Sequence, residues 1–166
     1  MSLVLDGSSG VQYPTGSNYQ VPALNMPSGS VVQVVQGTLS TNFSTSSSSY
    51  VTTGLTASIT PLFSTSKILI MYNGSIAASP SASLNSYTTI YRNSTNLEIT
   101  STRGFNECNF AVGVNYNGNV SSASYLDSPA TTSSTTYTIY LRSGNSQTVL
   151  FAVDGSTAAI TLMEIR

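Results

Sequence analysis

SSASYLDSPATTSSTTYTIYLRSGNSQTVLFAVDGSTAAITLMEIR, Ser121 to Arg166, is the stretch whose reading decides the fold. Three β-runs stand out in it. Tyr137, Ile139 and Leu141 alternate with Thr138, Tyr140 and Arg142. Val149, Phe151 and Val153 alternate with Thr148, Leu150 and Ala152. The last run, Ala158 to Ile165, is apolar on both faces apart from Thr161 and Glu164. Period-two alternation sends one set of side chains to the core face of a sheet and the other set to the far face. Ser143-Gly144-Asn145-Ser146 and Asp154-Gly155 separate the runs with turn chemistry. The expectation is an antiparallel meander whose last strand is central.

Outward from this stretch, the same pattern recurs. Val31 to Leu39 reads as the first strand, Asn42 to Ser49 as a polar loop, and Leu55, Ala57 and Ile59 as the inward side of the next strand, which Pro61 ends. Lys67 to Ile76 is the strongest strand of the first half; Ile68, Ile70 and Tyr72 point one way, Leu69 and Met71 the other. Ala77 to Ser86 reads as a loop containing Pro80, and Tyr87 to Arg92 as a strand. Arg103 to Asn109 reads as irregular. Phe110 to Tyr116 reads as a short strand, and the Asn117-Gly118 after it as a hairpin turn. About nine or ten short strands and no helix predict an all-β fold, an antiparallel β-sandwich of jelly-roll type, over residues 31–166.

Residues 1–30 differ. They contain Pro14, Pro22 and Pro27 together with glycines at 7, 10, 16 and 29, too many breakers for a strand of ordinary length or a helix. Short apolar segments survive between them, so the expectation is an extended attachment arm that orders on a partner surface. Its anchors are Leu5, Val11, Tyr13, Pro14 and Leu24.

Charge is scarce: 7% of residues, against a usual ~25%. About one residue in three is Ser or Thr, so hydroxyls and amides carry the solubility. The net charge is −1 and the five cations, Lys67, Arg92, Arg103, Arg142 and Arg166, are scattered. A nucleic-acid surface needs them clustered, which argues against such a partner. No apolar run approaches the ~20 residues of a membrane span, and Met1 to Gly10 lacks the basic start and apolar core of a signal peptide. Four N-x-S/T triplets, starting at Asn42, Asn73, Asn93 and Asn119, match what chance produces in so hydroxyl-rich a chain.

The chemistry available is thin. Histidine is absent, which removes Ser-His-Asp and Cys-His catalysis and histidine zinc sites. The single cysteine, Cys108, can neither form an internal disulfide nor build a thiolate cage, and reads as a small buried side chain. No phosphate-binding glycine loop and no calcium loop is present. The carboxylates are Asp6, Glu98, Glu107, Asp127, Asp154 and Glu164; only Glu98 and Glu107 offer a pair across a loop. The reading is a non-enzyme without metal or cofactor. Glu164, if inward, needs a partner, for which Arg142 and Arg103 are the candidates. The ten tyrosines serve equally as sandwich residues and as a sugar-binding surface.

Two strands, Lys67 to Tyr72 and Ala158 to Ile165, are apolar on both faces, and no helix covers the second face. An exposed apolar face of several hundred Å² is an association site, stabilised on hiding by roughly 25 cal/mol per Å² before association costs. A homo-oligomer is expected, with Leu69, Met71, Met163 and Ile165 at the interface.

The block Tyr125-Leu126-Asp127-Ser128-Pro129-Ala130-Thr131-Thr132, then Thr136-Tyr137-Thr138 and the closing Ile160-Thr161-Leu162-Met163-Glu164-Ile165, resembles a small all-β module of tailed-phage virions. That module, frequent in marine and cyanobacterial phage structural proteins of the fibre or head-decoration class, is similar to the trimeric jelly rolls of the tumour-necrosis-factor and C1q type. The resemblance begins near Val31 and covers most of the chain from there. Asp6-Gly7…Gly10-Val11-Gln12-Tyr13-Pro14-Thr15-Gly16-Ser17 also resembles a short motif near fibre-type phage chains. The resemblance implies a homotrimer on a virion surface, made in the host cytoplasm. Its function would be head decoration (a cement protein), bound through the arm to the major capsid protein or another virion protein. The alternative is a tail-fibre or receptor-binding tip that holds host cell-surface glycans.

Overall fold

The computed structural model describes residues 22–78, 83–98, 102–113 and 117–166, and the backbone of 4–6 and 10–12. In chain order the strands are β1 (Val4–Asp6), β2 (Gly10–Gln12), β3 (Val31–Leu39), β4 (Phe43–Thr45), β5 (Val51–Ile59), β6 (Lys67–Ala78) and β7 (Leu84–Arg92). They continue with β8 (Thr95–Asn96), β9 (Asn106–Phe110), β10 (Asn117–Asp127), β11 (Thr135–Ser143), β12 (Val149–Phe151) and β13 (Ala158–Ile165). A single 3-10 turn, Ala23–Asn25, precedes β3.

Two antiparallel sheets pack face to face as a β-sandwich. In the first, β6 is central: β10 pairs with one edge, β13 with the other, and β3 lies outside β13. The second runs β5, β11, β7, with β8 and β9 side by side along the far edge of β7. The alternation read from the sequence sets the core. Ile68, Ile70 and Tyr72 on β6, Ile160 and Leu162 on β13, Leu55 and Ile59 on β5, and Tyr137, Ile139 and Leu141 on β11 are all buried. Each such aliphatic or aromatic side chain contributes about 1.5–3 kcal/mol by leaving water.

The boundaries of β3 and β13 match the sequence reading, and β5 extends the run read at Leu55, Ala57 and Ile59 back to Val51. Elsewhere the structure corrects it. The closing meander does not form: β11 lies in the second sheet, while β12 and β13 both pair with β6. Val149 stands opposite Ala78 and Phe151 opposite Ile76; Ala159 then stands opposite Asn73 and Ile165 opposite Lys67. The two strands therefore run in one direction along one edge of β6, and Asp154-Gly155 belongs to an excursion between them rather than to a hairpin.

Ser75 staples that excursion. Its carbonyl accepts from the Ala152 amide at 2.9 Å, its Oγ accepts from the Val153 amide at 2.9 Å, and its hydroxyl meets that of Ser156. Gly74 lies beneath, where a Cβ would stand 2.5 Å from the Phe151 ring. Turn chemistry sets a local reversal but not the neighbour the chain meets next.

Asn117-Gly118 is likewise no hairpin turn; it opens β10 opposite Ala78 and Ala77. The strand before it is Asn106–Phe110, in the region expected to be irregular, and it pairs with β7. The loop expected over Ala77 to Ser86 is shorter, since β6 runs to Ala78 and β7 starts at Leu84; its Pro80 lies outside the described residues. Phe43–Thr45, within the expected polar loop, adds β4 to the edge of β12. In the first thirty residues β1 and β2 pair as a short antiparallel ladder despite the glycines around them.

Glu164 is fully buried, and its partner is neither Arg142 nor Arg103. Its Oε1 accepts from the main-chain amides of Leu62 (2.8 Å) and Phe63 (3.3 Å), and its Oε2 from the Gln33 side-chain amide. Arg142 instead packs on tyrosines, and Arg103 pairs with Glu107 at 2.9 Å.

Candidate binding surfaces

The outward sides of the two sheets differ in chemistry. On the first sheet the register aligns one apolar row across four strands: Val34 on β3, Met163 on β13, Leu69 on β6 and Leu126 on β10. Val34 and Leu126 are 55% and 45% exposed; Met163 and Leu69 are half-buried by their neighbours. Met71, opposite Thr161, and Ile165, opposite Lys67, flank the row. All four residues expected at an interface thus share one face. Val34 and Leu126 were missed, because only the register shows that they continue the row.

Residues 22–30 and the C-terminal Arg166 meet beside this face. The Gly29 amide donates to the Arg166 carbonyl at 2.5 Å, and the Arg166 amide donates to the Ser30 carbonyl at 3.0 Å. The Arg166 guanidinium donates to the carbonyls of Ala23 (3.1 Å) and Met26 and lies 5.1 Å from the Phe63 ring centroid. A hollow of about 360 Å³ opens there, lined by Gly29, Lys67, Leu126 and Ile165 among others. Of the expected arm anchors, Leu24 sits in the 3-10 turn and is 66% exposed. Leu5 and Val11 stand opposite each other in the β1–β2 ladder. Tyr13 and Pro14 lie outside the described residues.

The second sheet's outward side is polar along β5 and β11. Ser58 and Thr136 hydroxyls pair at 2.7 Å, Thr56 and Thr138 at 3.0 Å. Toward the other end of these strands the hydroxyls give way to aromatics. Tyr91 and Tyr140 stack with centroids 3.9 Å apart and 23° between planes. The Arg142 guanidinium lies between two further rings, 4.1 Å from the centroid of Tyr87 and 5.2 Å from that of Tyr50, and donates to the Thr102 carbonyl. Tyr50, Tyr91, Thr102 and Arg142 line a cleft of about 650 Å³ together with Ser48, Ser49, Asn96 and Glu98, while Tyr140 backs Tyr91 and Tyr87 backs Arg142. Asn96 Oδ1 accepts from the Thr89 hydroxyl (2.7 Å) and the Glu98 amide (3.2 Å), which fixes its orientation. Burial pushes the phenols of Tyr50 and Tyr91 above their ordinary value, although Arg142 pulls that of Tyr50 the other way. A second hollow, about 260 Å³, opens beside Tyr87 and is lined by Ser83, Asn85, Gly144 and Asn145.

The buried polar groups join the sheets. Arg92 on β7 holds both oxygens of Asp127 on β10 at 2.9 Å, and the Tyr137 hydroxyl donates to Asp127 at 2.7 Å. Burial raises the Tyr137 phenol far above its ordinary value, and the Asp127 carboxylate adds to the effect. Tyr72, Thr88 and Ser121 close a hydroxyl triangle, with Thr88 to Tyr72 at 2.7 Å and to Ser121 at 2.8 Å. Glu107 takes bonds from Asn85 (2.8 Å) and Arg103, while Glu98 faces the cleft. The Cys108 thiol is buried, which raises its pKa, with Glu107 adding to the shift. Among the described residues no group of three or more His, Cys, Asp or Glu is placed to hold a metal, and no helix is long and apolar enough to cross a membrane.

Compared with models of known protein families and with curated proteins, the chain matches none.

Proposed function

We propose that this chain is a non-enzymatic structural protein of a tailed-phage virion: a trimeric jelly roll that decorates the head, attaches by its N-terminal arm and stabilises the capsid. The observation that carries this reading is the apolar row Val34–Met163–Leu69–Leu126 across the first sheet's outward face. A continuous apolar face of this kind is a self-association surface. The strand orders β3-β13-β6-β10 and β5-β11-β7-β9 support the jelly-roll reading, since this interleaving is how two Greek keys fill two four-stranded sheets. The clamp of Arg166 on residues 22–30 supports the arm reading, because it fixes the point from which the preceding chain leaves, next to the apolar row. The major capsid protein or another virion protein is the partner the arm would meet. Contacts made by burial rather than charge suit a particle exposed to changing salt.

A second reading, a receptor-binding tip that holds host glycans, is favoured by the tyrosine-lined cleft of the second sheet. Antibody-gold labelling of intact virions against residues 31–166 separates the two. Label over the head is the expected result. Label confined to the tail end overturns decoration in favour of the tip, and virions without label overturn both.

A further inference from the structure

The cleft lies on the second sheet, away from the apolar row of the first, and the rings of Tyr50 and Tyr91 form part of its walls. Its floor combines flat rings with fixed polar edges. Tyr91 and Tyr140 brace each other, and Arg142 is held between Tyr50 and Tyr87. Such rings are ordered before any ligand arrives, so little side-chain entropy is lost on binding. Its volume, about 650 Å³, lies within the ordinary range of ligand sites, roughly 300–1,000 Å³.

The polar edges decide the ligand class. With Asn96 Oδ1 committed to Thr89 and the Glu98 amide, the amide nitrogen is what Asn96 offers a ligand. Ser48 and Ser49 supply hydroxyls, Glu98 an acceptor and Arg142 a planar donor edge. The site therefore mixes donors and acceptors, with one cation and one anion. A phosphate or a polyanion needs clustered cations; a purely apolar ligand would cover these polar groups without bonding to them. A neutral sugar has what the site lacks: C–H faces to lie on phenol rings, and hydroxyls that both donate and accept. The hollow beside Tyr87 continues the surface with Asn85 and Asn145, and the Tyr87–Arg142 stack stands between the two.

We propose that the Tyr50–Tyr91 cleft, with Arg142, Asn96 and Glu98, and with Tyr87 leading to the second hollow, is a binding site for a neutral oligosaccharide. The assignment rests on the receptor-binding reading and deepens it. The ligand spans both hollows, so a chain of sugars binds better than a single ring.

The test uses the full-length purified chain on an array of neutral oligosaccharides built from hexoses and N-acetylhexosamines, beside their monosaccharides and carboxylated counterparts. Retention of at least one neutral oligosaccharide over its monosaccharide is expected. Tyr91→Ala should bind about tenfold more weakly, the scale of one aromatic contact. Arg142→Lys, which keeps the charge but loses the planar stack, should weaken binding with no change in circular dichroism. Ser58→Ala, at the hydroxyl-lined end of the same face and outside the cleft, should leave neutral-sugar binding within about threefold. Three results overturn the proposal: no neutral oligosaccharide bound, carboxylated sugars alone bound, or binding unchanged in Tyr91→Ala. Gold at the tail end with no saccharide bound would sink the cleft assignment while leaving the tip reading with a different ligand. Head-only gold with saccharide bound would do the reverse.

Discussion

Glu164 sits in a central strand with no exposed surface, held by two main-chain amides and one side-chain amide. Hydrogen bonds to a charged acceptor contribute about 1.5–3 kcal/mol, and removing the acceptor strands its buried donors at a further cost. Glu164→Ala should therefore destabilise the fold by about 3 kcal/mol, and Glu164→Gln by less, since one carbonyl oxygen survives to accept. Urea denaturation measures this; an alanine variant within 0.5 kcal/mol of the parent would show that the Leu62–Phe63 turn finds other acceptors. The sequence marks Glu164 as a residue in need of partners, because its strand is otherwise so apolar. It cannot name them: a backbone amide has no letter of its own. Asp127 carries the opposite lesson. Its two partners, Arg92 and Tyr137, are side chains, yet they lie 35 and 10 residues away, and only sheet packing brings them together.

At the scale of the element, alternation located β3, β5, β6, β11 and β13 but not the start of β10 at Asn117, and turn chemistry misjudged the connections. Asp154-Gly155 and Asn117-Gly118 have hairpin composition, but neither joins two paired strands. What decides is space as much as composition. Gly37 on β3 illustrates it: a Cβ there would stand 1.9 Å from the carbonyl oxygen of Thr56 on β5. The two sheets pinch together at this edge, and only glycine admits the approach. Gly37→Ala should cost about 1–3 kcal/mol through forced backbone movement. The expected observation is a lower denaturation midpoint with an unchanged m-value. An unshifted midpoint would mean that the edge opens without penalty.

For the whole molecule, the contrast between the outward faces is the informative feature. One is crossed by an apolar row; the other carries hydroxyl pairs and an aromatic cleft. The first should meet copies of this chain, and the second the surroundings. Met163 lies in the row between Val34 and Leu69, so Met163→Glu places a charge within it without touching the core. Sedimentation equilibrium at micromolar concentration should give three chains for the parent and one for the variant. A monomeric parent would remove the trimer, and a trimeric variant would move the interface elsewhere.

The sequence by itself determined the all-β class, the bounds of β3 and β13, and the inward side of β5 and β11, because strand alternation is a local property with a period of two; β6 and β13, apolar on both faces, left that choice to packing. The sequence also put Leu69 with Met71, and Met163 with Ile165, on shared faces of those strands. Only the tertiary structure decided that β12 and β13 share one edge of β6, that Val34 and Leu126 extend the apolar row, and that Tyr50 and Tyr87 meet Arg142 while Tyr91 stacks on Tyr140. Those outcomes depend on register and on which strands become neighbours. Such choices are made by long-range packing between segments well over a hundred residues apart, and no local pattern encodes them.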